Sequence, residues 1–301
     1  MAKKEPELYD GLIVIEAADQ KALDKKLEKM AERPEKFALR IPKSKTIIKE
    51  SAFDSNEEIG AIIFHEALEE IGHYAFRDCT GITSLEFPES LVNILSSAFR
   101  GCTGLKSVKF SNSLNFIDTS AFYGCTGLTE LYIPASLTKI KSAFTGCANL
   151  SHIVVDENNP VYDSRENCNA IIETSTNTLV LGGCETIIPA SVSIIYCGAF
   201  DGCAGLKSIT IPDTIKRIMF TAFRGCSGLT EISIPEGITT IEGNTFADCS
   251  GLTGFTIPES VTKIDWQAFM GCTGIKSIVI PASVTEIGNK AFPETTEIIR
   301  K

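Results

Sequence analysis

Phenylalanine recurs at a fixed interval along most of this chain. Phe53, Phe76, Phe99 and Phe122 are 23 residues apart, Phe144 follows after 22, and Phe200, Phe223, Phe246, Phe269 and Phe292 resume the 23-residue step. The surrounding residues repeat too: 98–108 reads AFRGCTGLKSV, 222–232 reads AFRGCSGLTEI and 268–278 reads AFMGCTGIKSI. The whole unit approximates L-x-S-I-x-I-P-x-S-V-T-x-I-x-x-x-A-F-x-G-C-T-G. One unit of this size cannot bury an apolar face by itself, so copies must stack and share a continuous core.

Each slot has a physical assignment. In the stretch 206–211, Leu206, Ile209 and Ile211 are apolar. The alternation of Ile209 and Ile211 with Ser208 and Thr210 is that of a strand with one face inward. Pro212 then stops the strand, having no N–H to donate to a neighbour. Val192/Ile195, Ile215/Ile218 and Ile238/Ile241 supply a second inward pair. Ala-Phe supplies a third wall, and Gly-Cys turns the chain toward the next strand.

Eight of the eleven cysteines follow the same period. Cys79, Cys102 and Cys125 are spaced by 23, as are Cys203, Cys226, Cys249 and Cys272, and Cys147 is one residue out of register. No CxxC pair is present, so neither a disulfide framework nor a zinc site is indicated. A small apolar thiol fits an inward corner. Coils about 5 Å apart also bring neighbouring cysteines within bridging range, and reduced, buried thiols are the expectation.

The segments IPASVTEIGNKAF (280–292) and IPESVTKIDWQAF (257–269) carry a resemblance to the BspA-type leucine-rich-repeat family. It extends from about Phe37 to Phe292. The resemblance implies a β-rich, right-handed leucine-rich-repeat solenoid, with a parallel concave sheet and short helical turns. It further implies kinship with bacterial surface proteins, the better-known of which are adhesins for host or extracellular-matrix proteins. It brings no catalytic residues and no cofactor.

Two segments depart from the repeat. Residues 1–36 are expected to form an N-terminal βα cap, with a strand at Leu12 to Ile15, Asp19 as helix N-cap and a helical stripe Leu23, Leu27, Met30. Such a cap covers the first open edge of a solenoid. Residues 37–301 are expected to be the solenoid, continuous with the cap as one structural domain. Its irregular coil, about 156–184, is expected to contain a hairpin, Asn169 to Glu173 and Thr178 to Leu181, around the turn 174–177. DENNPVYDSRE in this coil is acidic but lacks the D-x-[DN]-x-[DN]-G spacing of a calcium loop.

The net charge of −10 argues against nucleic acid and against anionic lipid surfaces as partners. No run of about 18 apolar residues exists to insert in a membrane. MAKKEPELYDG lacks the apolar segment of a secretory signal. The expected location is therefore cytoplasmic if the sequence is the complete gene product, and the cell surface or outside the cell if a signal was removed. HEALEEIGH (65–73) resembles a zincin motif, but its fifth residue is Glu69, and Leu68 and Ile71 are ordinary inward positions. No GxSxG, P-loop or GxGxxG occurs, and the Glu86/Glu130 pair is two coils apart. The expectation is a non-enzyme without metal or cofactor.

A binding surface is the better fit. Most outward positions of the first strand are small or hydroxylic. Glu130, Tyr132, His152 and Val154 break that rule beside the irregular coil, and are the first candidates for contacting a partner protein. Tyr196, Met219, Phe220 and Trp266, just after the second inward pair, form a second candidate patch. Two readings of it stand side by side: exposed contact residues, or rings folded down over the coil edges. The expected partner is a protein of the host, its matrix or the cell envelope. Alternatives are a glycan on the same surface, or an intracellular scaffold if Met1 is the native start.

Overall fold

The computed structural model describes residues 7–301, so the first six residues of the expected cap lie outside it. The chain divides into two compact units, Met1–Phe144 and Thr145–Lys301.

In the first unit, Leu12–Glu16 pairs antiparallel with Leu8–Tyr9 and parallel with Phe37–Arg40, which pairs parallel with Ile59–Ile63. The helix Gln20–Leu27 begins where the Asp19 side chain accepts the Ala22 N–H at 2.8 Å, a capping bond that satisfies one of the orphan first-turn donors. Leu23 and Leu27 bury its inner face. The helix ends before Met30, which lies in a following turn closed onto Leu27. The expected βα cap is thus present, with an additional outer strand at Leu8–Tyr9.

The second inward pair builds a parallel ladder. Ile47–Ile48, Glu70–Ile71, Asn93–Ile94, Phe116–Ile117 and Lys139–Ile140 lie side by side with Ile48, Ile71, Ile94, Ile117 and Ile140 in register. In the second unit Ile194–Ile195 pairs with Arg217–Ile218, and Thr240–Ile241, Lys263–Ile264 and Glu286–Ile287 form a further parallel set. Each step is one repeat, so identical side chains meet in columns.

The third wall is also a ladder. The Ser97, Phe99 and Gly101 amides donate to the carbonyls of Thr119, Ala121 and Tyr123 on the next coil, at 3.1, 2.7 and 2.8 Å. Thr221, Phe223 and Gly225 do the same toward Gly243, Thr245 and Ala247. Between these bonds the backbone closes single turns that do not run on into helix, such as Arg100 N–H to Ser97 and Cys102 N–H to Phe99. The geometry requires a left-handed residue on either side of Ala-Phe: Ser97 (φ 58°) and Gly101 (φ 73°), Thr221 (φ 58°) and Gly225 (φ 71°). A side-chain-bearing residue there is strained by about 1–3 kcal/mol, tolerated because the stacked neighbours fix the conformation.

The phenylalanines fill the interior. In the first unit Phe53, Phe76, Phe99, Phe122 and Phe144 stack with successive centroids 5.2–5.4 Å apart. In the second, Phe200, Phe223, Phe246, Phe269 and Phe292 stack at 4.9–5.6 Å, each pair of ring planes within 17° of parallel. All ten are buried. The repeat glycine of C-T-G is dictated by the same close stacking. A Cβ on Gly104 would stand 2.2 Å from the Thr80 carbonyl oxygen, and one on Gly228 2.2 Å from that of Ala204.

The cysteine slot gains a second explanation beyond size. Cys79, Cys102, Cys125, Cys226, Cys249 and Cys272 each donate S–H to the phenylalanine carbonyl one coil back, at 2.9–3.2 Å. Burial pushes the Cys79 thiol up to about 12 and Cys102 well above its ordinary range. None of the eleven cysteines is in a disulfide.

In the irregular coil the expected hairpin is Ala170–Glu173 with Thr178–Gly182, antiparallel and with one register shift. Tyr162–Asp163 adds a third antiparallel strand that periodicity did not reveal. The acidic stretch before it has structural partners. Asp156 accepts the Asn158 N–H, and Asn159 Oδ1 accepts the N–H groups of Val161 and Tyr162. Asp163 takes two bonds from the Arg165 guanidinium and one from the Thr174 hydroxyl.

Candidate interaction surfaces

Glu130 and Tyr132 share the strand Glu130–Ile133 of the first unit, whose alternation works as the pattern demands. Leu131 and Ile133 are buried, Glu130 is exposed, and Tyr132 leaves 49% of its surface in solvent. On the same wall of that unit, Lys109 Nζ lies 2.5 Å from Glu86 Oε1. Both side chains are largely exposed, so the pair contributes little stability and leaves both charges available. Tyr9, Glu66, Glu86, Lys109 and Glu130 line a shallow depression above the half-buried Phe64. Glu86 and Glu130 both border it, on strands two coils apart.

His152 and Val154 share the strand His152–Val155 of the second unit, with His152 exposed and Val154 half-buried. The other candidate patch also lies in this unit. Tyr196, Phe220 and Trp266 are 38%, 48% and 49% exposed, and Met219 is half-buried. Phe220, Gly243 and Trp266 occupy one slot of three successive coils. Gly243 is the notch between the two rings. A Cβ there would stand 2.7 Å from Trp266 Nε1 and 2.8 Å from Cε2, so the indole leans across the glycine while keeping half its surface in water. The loop beneath is pinned by Glu242, which accepts from Arg217 Nε at 2.6 Å and from the Phe220 N–H at 3.0 Å. Features of both readings coexist here: the rings are about half-exposed, and the indole lies over the edge of the neighbouring coil.

One feature of the second unit was not legible in the repeat. Among the described residues, 208–211, 231–234 and 254–257 carry the strand pattern yet form no ladder. Their counterparts Ser84–Glu86 and Ser107–Lys109 pair in register, as do Ser277–Ile280 and Glu297–Arg300. The unpaired stretches border a second shallow depression, where Ile209 and Phe255 are half-buried.

The zincin-like stretch serves the fold. His65 Nδ1 accepts the Ala67 N–H at 3.2 Å in a turn, and Leu68 and Ile71 are fully buried. Among the described residues no three His, Cys, Asp or Glu side chains converge as metal ligands, and no helix is long and apolar enough to cross a membrane.

Comparison with known proteins agrees with this geometry. The model for the BspA-type leucine-rich-repeat region matches residues 38–170 and 184–299 in six copies. No curated protein matches the sequence. Among solved structures, a leucine-rich cell surface protein from Faecalibacterium prausnitzii is 28% identical with a TM-score of 0.70, covering 88% of this chain and 79% of its own. The pneumococcal vaccine antigen PcpA shares the fold at 23% identity and a TM-score of 0.71, covering 94% of this chain and 71% of its own. A leucine-rich-repeat protein from Bacteroides ovatus is 24% identical at a TM-score of 0.52, covering 88% and 66%. With the stacked coils, the phenylalanine columns and the family match over most of its length, the chain belongs to the BspA-type leucine-rich-repeat family of parallel β-solenoids.

Proposed function

We propose that this protein is a non-catalytic binding module of a cell surface, presenting its solenoid to a protein of the host, its matrix or the cell envelope. The observation that carries the reading is the exposed set Tyr196, Phe220 and Trp266 on the second unit. Repeat side chains pointing outward elsewhere are mostly small or charged, and aromatic residues held on a rigid backbone are the usual energetic centres of protein interfaces. Tyr132 on the first unit is a further contact of the same kind, flanked by Glu130 on its own strand, and His152 with Val154 form the corresponding candidate on the second unit. Similarity to a leucine-rich cell surface protein supports the cell-surface location.

A second reading is glycan binding. It is favoured by the Trp266 indole, a half-exposed platform with Asp265 and Gln267 beside it in sequence. The two readings separate in one experiment, in which the full chain is offered to immobilised matrix proteins and to a glycan array. Saturable binding to a protein that survives enzymatic deglycosylation supports the first. Binding that appears on the array and vanishes from the deglycosylated protein replaces it with the second. Saturable binding to neither refutes the surface-module reading.

A further inference from the structure

Three cysteines, Cys168, Cys184 and Cys197, stand outside the repeat slot, and one of them, Cys184, alters the environment of a repeat cysteine. In the ordinary coil the repeat thiol donates to a phenylalanine carbonyl one coil back. The coil before Cys203 is the irregular one. There Gly182 occupies the phenylalanine position of the ladder, its N–H donating to Ala199, and an added Cβ would collide with the Phe200 ring at 2.1 Å. Cys203 therefore meets a different partner: its Sγ lies 3.4 Å from the Sγ of Cys184.

The two thiols are unequal. Cys203 is 3% exposed, whereas Cys184 is half-buried. The approach to Cys184 is kept open by Gly205, itself exposed, where a Cβ would stand 2.6 Å from the Cys184 sulfur. Cys184 is held in place by its N–H bond to Leu150 at 2.7 Å and by its sulfur, 3.3 Å from the Ala148 carbonyl. A backbone fixed on both sides leaves the sulfurs about 1.4 Å short of closing from 3.4 Å to a disulfide bond length.

We propose that Cys184 and Cys203 form a dithiol site, in which Cys184 meets a peroxide or other soft electrophile and Cys203 resolves the product as a disulfide. With hydrogen peroxide as oxidant, the Cys184 thiolate attacks one peroxide oxygen. The O–O bond breaks, Cys184 becomes a sulfenic acid, and the departing hydroxide takes up the proton that the thiol released, leaving as water. The Cys203 sulfur then attacks the sulfenic sulfur. Its S–H proton goes to the departing hydroxyl, which leaves as a second water, and the S–S bond forms. Two thiols lose two electrons and one peroxide is reduced to two waters. The electrostatics run the same way. The contact with Cys203, aided by the Gly205 amide and opposed by burial and by Glu185, draws the Cys184 thiol below its ordinary range, and the same contact with burial pushes Cys203 above it. A partly accessible thiolate beside a buried thiol is the division of labour that separates attacking from resolving cysteines.

The test is made on the full chain, native and at pH 7. With limiting iodoacetamide, Cys184 should be alkylated at least tenfold faster than Cys249, which is fully buried. With one equivalent of hydrogen peroxide, the chain should lose two hydrogens in mass. Cleavage by trypsin and at glutamates separates residues 174–185 from residues 186–207, and these peptides should remain joined until reduced. Cys197 shares the second peptide, so the same digest of Cys197→Ser must still show the link. Cys203→Ser should leave Cys184 as a sulfenic acid that dimedone captures, and Cys184→Ser should abolish the link. Unlinked peptides in the wild-type chain after peroxide treatment, a link that is lost in Cys197→Ser, or alkylation of Cys184 no faster than of Cys249 would each overturn the proposal.

Discussion

Phe223→Ala probes the stacking that holds the second unit together. Phe223 is 0% exposed and lies between Phe200, with centroids 4.9 Å apart and planes 5° from parallel, and Phe246, at 5.6 Å and 8°. Truncating a buried phenylalanine costs about 3–5 kcal/mol through lost transfer free energy and the cavity left behind. Two ring contacts disappear together, and the coils on either side are tied by backbone bonds at Phe223, Thr221 and Gly225 that resist collapse into the space. The upper half of the range is therefore expected, about 4–5 kcal/mol. Phe292→Ala is the internal comparison. It stacks on Phe269 at 5.2 Å and retains 8% exposure, so its loss should be about 2–3 kcal/mol. Urea unfolding followed by circular dichroism and by Trp266 fluorescence gives both values, with two probes because repeat arrays can unfold in parts. A loss below about 1 kcal/mol for Phe223→Ala, or equal losses for both variants, would refute the argument that the column is a rigid, cumulative core.

The remaining predictions test the backbone and one ion pair. Gly228→Ala should destabilise by at least about 2 kcal/mol, because its Cβ would stand 2.2 Å from a carbonyl oxygen, whereas Gly254→Ala, with nothing within 4 Å, should be within about 0.5 kcal/mol of wild type. Thr221→Gly should raise stability by about 0.5–1 kcal/mol by removing a β-branched residue from φ 58°, the slot that Gly198 fills one coil earlier, and a loss of stability would show that the strain is absent. Asp163 is partly buried, which opposes its charge, but the Arg165 side chain and amide and the Thr174 hydroxyl outweigh this and hold its carboxyl below the ordinary range. Its folded value lies below its unfolded one, so its contribution is present at neutral pH and is lost as pH falls below about 4. Amide protection in 162–174 should therefore fall in acid, and Asp163→Asn should remove that pH dependence.

The period made the coil, its inward slots and the ten-phenylalanine pattern readable, because every copy restates the same constraints. The N-cap at Asp19 and the hairpin were readable from local chemistry, and the third strand at Tyr162–Asp163 was not, since two residues carry no alternation. The left-handed positions beside Ala-Phe are hard to see because they hold Ser, Thr, Gln and Lys as well as Gly, and stacking neighbours rather than the residue itself enforce the conformation. Alternation of Ile209 and Ile211 says which way side chains point, but not whether adjacent backbones come within bonding distance. The unpaired stretches of the second unit are therefore not readable from alternation alone. Tyr132, His152 and the Tyr196, Phe220, Trp266 set were legible as exceptions in slots of known direction. Cys184 was visible as a cysteine out of register, but its partner depends on Gly182 and Gly205 making room, which only coordinates reveal.

The central claim is that exposed aromatic side chains on these coils are what the protein uses to hold a protein partner. Its most direct test is a titration of the matrix or envelope protein captured in the binding experiment, against wild-type chain, Tyr196→Ala/Phe220→Ala/Trp266→Ala, and Ser277→Ala as a distant exposed control. With folding of each variant verified by circular dichroism, the account predicts a rise in Kd of at least tenfold for the triple variant, about 1.4 kcal/mol or more, and no change for the control. Equal affinity of the triple variant and the wild type would contradict it.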